Sequence, residues 1–141
     1  MIQIILLLAL AFTPVEAEPL KLISIDRGQQ SQIQEPRTIV IRSAEEWATL
    51  WKEHAPDSKA AAVDFKQSMV LAVFSGTKST AGHSVDIAQV DARESEITVT
   101  YTERAPAPSD MVAQVLTTPF HIVRTEARAG KVTFKRVAPA R

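Results

Sequence analysis

The 141-residue chain contains no cysteine. That absence excludes disulfide staples, thiol nucleophiles, thiolate metal sites and a lipidated N-terminal cysteine, so a folded domain has to rest on packing alone. The chain also has no net charge, with 16 Lys and Arg against 16 Asp and Glu, and the two signs are interspersed. A nucleic-acid binder gathers a basic excess on one face, and a peripheral membrane protein needs the same toward anionic lipid. The sequence shows neither. No apolar run reaches the roughly 20 residues of a membrane-spanning helix. Internal repeats and low-complexity tracts are missing as well.

The longest apolar run is residues 4–12, Ile4 to Phe12, followed by Pro14 and then Val15-Glu16-Ala17. An apolar core followed by small residues at the cut reads as a secretory signal peptide cleaved after Ala17, although no Lys or Arg precedes the core. The expectation is a removable segment, residues 1–17, and a single exported domain, residues 18–141, in the periplasm or outside the cell. Loss of Glu16 would leave that domain at a net charge of +1 with no membrane span. A chain of this length buries about two-thirds of its unfolded surface, enough for a core without staples.

Extended segments dominate the pattern. Residues 20–25, 38–42, 69–74, 85–90, 97–102 and 132–136 are apolar, alternating or β-branched, and residues 111–116 and 119–124 add two apolar runs around Thr117-Thr118. One helix is strongly marked. Ser43 and Glu46 form a capping box, and Trp47, Leu50, Trp51 and His54 then recur on one face until Pro56 ends it. The indoles are expected to dock that helix on a sheet. The predicted architecture is mostly β (α+β), an antiparallel β-sandwich or open barrel with one short helix packed on the sheet. Consecutive strands without intervening helices disfavour a parallel sheet.

Little in the chain assembles into catalytic chemistry. Gly76-Thr77-Lys78-Ser79 lacks the spacing of a phosphate loop, in which lysine follows the second glycine and opens a helix. His54, His83 and His121 stand at no compact metal-ligand spacing. His54 is expected at a helix end, where a positive charge is favoured, and His121 at a solvated or edge position. Ser84, His83 and Asp86 make a poor hydrolase, because strand neighbours point to opposite faces and no nucleophile elbow is present. No cofactor, no metal and no catalytic residue is implied.

Loops, in contrast, offer binding groups. The 76–84 connection presents hydroxyls from Thr77, Ser79, Thr80 and Ser84, a cation from Lys78, the ring of His83 and a close backbone approach at Gly82. Pro106 and Pro108 stiffen a second loop, which lowers the entropy lost on docking. Thr117-Thr118-Pro119-Phe120 offers a third, with Phe120 as its apolar group. The residues point to a non-enzymatic recognition module for another protein.

A set of segments carries a family resemblance. In order they are Ser43-x-x-Glu46-Trp47-x-x-Leu50-Trp51, Val63-Asp64-Phe65, the run Val70 to Gly76, Thr80-Ala81-Gly82-His83-Ser84-Val85, and Val112-x-Gln114-x-Leu116-Thr117-Thr118-Pro119-Phe120-His121-Ile122-Val123. Together they resemble the C-terminal domain of the bacterial protease complex subunit PrcB family, over residues 23–137. The resemblance implies an extracytoplasmic, mostly β domain that associates with and stabilises a secreted protease. The family's loop usually reads Thr-Gly-Gly-Tyr-Ser; here Ala81 replaces the first paired glycine and His83 the tyrosine. A second reading is a proteinaceous protease inhibitor that uses sandwich loops, as chagasin-type inhibitors do, although no second glycine-rich loop and no Arg-Pro-Trp-like segment is present.

Overall fold

The computed structural model describes residues 16–140, so the expected export segment at residues 1–17 lies outside them except for its last two positions. The element order is β1 (Glu18–Leu20), β2 (Ile23–Gly28), β3 (Pro36–Ile41), α1 (Ala44–His54), β4 (Ser68–Ser75), β5 (Ser84–Arg93), β6 (Glu96–Arg104), β7 (Phe120–Glu126) and β8 (Lys131–Val137). Two four-stranded sheets, ordered β1-β5-β6-β8 and β2-β7-β4-β3, pack face to face with no closed barrel. The expected sandwich with one helix is the observed fold.

Alternation explains the layering. On β4, Met69, Leu71 and Val73 face the other sheet and meet Val85, Ile87, Val90, Ile97, Val99 and Val123 in one core. The intervening Val70, Ala72 and Phe74 face outward, where Trp47, Leu50, Ile122 and Phe120 close a second core beneath α1. Strand β4 is therefore buried on both faces, as its unbroken apolar run predicts. A bulge between Ile87 and Gln89 shifts the parity of β5, so that Val85 and Ile87 point inward before it and Val90 and Ala92 after it.

The helix begins as its sequence dictates. Ser43 accepts the Glu46 amide at 3.2 Å, and the Glu46 carboxylate accepts from the Arg42 amide at 3.3 Å and the Ser43 hydroxyl at 3.1 Å, one residue away from the ideal box. Trp47 and Trp51 donate their indole N–H groups to the carbonyls of Ala61 and Ser58 at 2.9 and 3.0 Å. Both indoles thus strap the following linker over the helix.

Two features depart from expectation. Strands β6 and β8 pair in parallel, because β7 crosses to the other sheet and reverses the chain between them. A strand in the facing sheet does here what a crossover helix does in α/β proteins. Residues 111–116 form no strand; they belong to a long connection between β6 and β7.

Candidate functional site

Three connections meet at one pole of the sandwich: residues 29–35, 76–83 and 105–119. Their backbones are stitched together. Lys78 and Thr117 exchange N–H···O bonds of 2.7 and 3.0 Å, and the Ala81 amide donates to the Ala113 carbonyl at 3.0 Å. The Thr77 amide donates to Gln34 at 3.0 Å and the Thr118 amide to Gln29 at 2.8 Å. Thr117 adds a hydroxyl bond to the Thr80 carbonyl at 2.8 Å. The Thr118 hydroxyl donates to the Ser31 carbonyl at 2.8 Å and accepts the Ser31 amide at 2.6 Å.

Gly82 closes the junction. Its φ is +89°, and a Cβ there would lie 3.0 Å from both Pro106 Cβ and Val112 Cγ1. Only glycine combines that backbone with that approach. Ala81 does not share the burden: Glu94 is the one non-glycine residue with positive φ among the described residues.

The structure therefore brings the 76–84 and 105–110 loops together. Thr77, Ser79, Gly82 and Pro108 are exposed, while Lys78, Thr80, His83, Ser84 and Pro106 are half-buried at the same pole. The third expected loop is corrected. Phe120 is buried against Phe74, His54 and the bare backbone of Gly28, so it is a core ring with no face left for a partner. Thr117 and Thr118 are buried too; their hydroxyls serve the stitching.

Sequence reasoning missed the most conspicuous group at this pole. Met111 is fully exposed, with Leu116 and Val115 at 69 % and 51 %, and these are three of the four large exposed hydrophobics among the described residues. The signal was available. A connection of about 15 residues without secondary structure is unusual and commonly functional, and Pro106, Pro108 and Pro119 bar both of its ends from a ladder.

Inside the same pole the gap between the sheets turns polar. Inward positions run Ile97, Val99, Tyr101, Glu103 along β6 and Val132, Phe134, Arg136 along β8. A cavity of about 380 Å³ opens there, lined by Thr38, Ser75, Lys78, Tyr101, Glu103 and Arg136, and a smaller one of about 130 Å³ adjoins it past His83, Ser84 and Arg104.

His54 ends α1 as expected but is buried there, and His121 lies elsewhere than expected. His54 is buried beneath α1, hydrogen-bonded to Asp26 at 3.0 Å and Ser31 at 2.8 Å, with its ring edge against Phe120. His121 sits on one of the two central strands of its sheet and faces the other sheet. Its Nδ1 accepts the Ile87 amide at 2.9 Å, which fixes the proton on Nε2, within 3.0 Å of Ser24 Oγ. That amide needs a partner because β1 reaches only as far as Val90 along β5. Burial pushes the His121 pKa below its ordinary value, with Arg27 adding to the shift and Asp86 opposing it. Asp86 itself pairs with Arg27 at 3.2 Å and approaches His121 at 3.8 Å, so its interactions run to β2 and β7.

The family model described as PrcB C-terminal matches residues 69–126. Those residues belong to the PrcB C-terminal family. The PrcB C-terminal segment runs from within β4 to the end of β7 and contains both the 76–83 connection and the exposed 105–119 connection. Helix α1 and strand β8 lie outside it. No curated protein and no solved structure matches the chain. Among the described residues there is no cluster of metal-ligating side chains, and no helix is long and apolar enough to cross a membrane.

Proposed function

We propose that this chain is an exported, non-enzymatic domain that associates with an extracytoplasmic protease through its loop pole and stabilises it. The family supports a protease-associated role. The observation that carries the binding reading is the pinned but exposed segment 111–116. Its backbone is held by the Ala81–Ala113 bond and the Lys78–Thr117 bridge, while Met111, Val115 and Leu116 stand in solvent. An exposed apolar patch on a small domain marks an interaction surface, and pinning lowers the entropy lost on docking. A start of the mature chain at Glu18 would keep all of β1 and its pairing with β5, which is compatible with the expected cut after Ala17.

The test is crosslinking in the native envelope, with the wild-type protein beside a Met111→Asp/Leu116→Asp variant. Capture of a protease by the wild type alone, together with a longer lifetime of that protease when the domain is added, supports the proposal. Equal capture by both proteins, or stoichiometric loss of protease activity on addition, sinks it; the second result would make the domain an inhibitor.

A further inference from the structure

We infer that the polar mouth between the sheets is a second binding element, a receptor for a carboxylate on an acidic peptide segment of the partner. This rests on the loop pole being a partner-binding end. The inward positions that build the apolar core end in charge at this pole. On β6 the series closes on Glu103, and on β8 on Arg136, paired at 2.8 Å across the cavity wall. Lys78 enters the same space from the stitched loop, and among the described residues it has no ion-pair partner. Arg104 lines the adjoining pocket, its guanidinium donating to the Ala140 carbonyl at 3.2 Å.

The charge balance decides the ligand. Lys78, Arg104 and Arg136 face one carboxylate, Glu103, a local excess of two positive charges in a chain whose total is zero, while the other cation of the lining, Arg37, is already paired with Glu35 and Glu53. Glu103 is mostly withdrawn from water and needs a partner, which the more exposed Arg136 supplies, so Glu103 is the intramolecular counter-ion and Lys78 the cation left for a ligand. Tyr101 Oη and the Thr38 hydroxyl supply neutral hydrogen-bonding groups beside it. A cavity of about 380 Å³ admits one or two side chains and no folded element. An extended acidic peptide, with one carboxylate seated between Lys78 and Arg136, fits both charge and size.

The test is an amide-resolved NMR titration of the protein with the peptide acetyl-Glu-Asp-Glu-amide, its uncharged analogue acetyl-Gln-Asn-Gln-amide, and inorganic phosphate. Saturable shifts at Ser75, Lys78, Ser84 and Glu103 with the acidic peptide alone are expected. Lys78→Gln should weaken binding about fivefold, whereas Glu103→Gln should tighten it by freeing Arg136. Shifts with the uncharged analogue at the same concentrations overturn the inference. So does phosphate binding as tight as the peptide, which would mean a free-anion site, or weaker binding by Glu103→Gln. Both variants keep the backbone bonds of the pole, and their thermal melting is read alongside. Met111→Asp/Leu116→Asp should retain the peptide shifts, so a failed mouth and a failed partner surface give different results.

Discussion

The two poles of this sandwich are built from different connections. At one, β5 turns into β6 through two residues and β7 into β8 through four, and the long connection there, residues 42–67, folds into α1 and its strapped linker. There Arg128 pairs with Glu18 and Glu126 at 2.8 and 3.2 Å, Arg42 donates to the Gly130 carbonyl at 2.8 Å, and Gly130 lies against the Ser95 carbonyl too closely for any side chain. At the other, connections of 7, 8 and 15 residues are fixed to one another by backbone bonds and leave apolar side chains in water. Short polar turns only close strands. The long, internally bonded pole holds apolar groups in water, where their exposure contributes nothing to the core. This difference is what supports the loop pole as the partner-binding end proposed above.

The largest effect that would sharpen this comparison lies in neither pole. Trp47→Ala removes the more buried of the two indoles of α1 and should destabilise by about 3–5 kcal/mol, read by urea unfolding. The half-exposed Trp51 should cost less on truncation. A smaller loss at Trp47 than at Trp51 would undo the assignment of the docking face.

His121→Leu should destabilise by about 1–3 kcal/mol at pH 8, because the Ile87 amide is left buried without an acceptor. The pH dependence follows from the sign of the shift. The folded-state pKa of His121 lies below the ordinary 6.5 of an unfolded chain. The unfolded state therefore binds more protons in that window, so this contribution is complete above about pH 6.5 and falls as the pH drops toward the folded value. Melting curves from pH 8 to pH 5 should show the difference between wild type and His121→Leu shrinking with acidity. A difference that grows would reverse the assignment of the neutral tautomer.

Gly82→Ala should cost about 1–2 kcal/mol through its positive φ and the 3.0 Å approach to Pro106 and Val112. Hydrogen exchange at the Ala81 and Lys78 amides should speed up more than exchange in β4. If both change equally, the loops are not a separate unit. The smallest effect is expected at an exposed apolar position: Leu116→Ser should change stability by no more than about 0.5 kcal/mol, checked by thermal melting. A loss of several degrees would place Leu116 in the core of the pole rather than on its outside.

Much of the fold was legible because it rests on local rules. The capping box at Ser43 and Glu46, the helical spacing of Trp47, Leu50 and His54, and the two-sided burial of β4 each follow from neighbouring residues. Phe120 and His121 were misread for a common reason. A strand pattern gives which residues share a face, but not whether the strand is central or which face meets which layer. Central placement of β7 buries both, one beneath α1 and one between the sheets. Residues 111–116 failed the other way: an apolar run reads as a strand unless the prolines around it are weighed with its length.

Of the candidate site, the sequence supplied the 76–84 loop and its proline-bearing neighbour, since glycine, proline and hydroxyl residues mark turns by their own backbone preferences. Composition likewise excluded thiol chemistry and an overall basic surface. The meeting of these loops was decided in three dimensions, by bonds between residues far apart in the chain, such as Ala81 with Ala113, Thr77 with Gln34 and Thr118 with Gln29. So was the charged mouth, which joins Lys78, Glu103 and Arg136 from three separate segments. Local preferences act through a few neighbouring residues, whereas a site assembled by strand order depends on free energy shared across the whole sandwich, and only the folded chain sets that order.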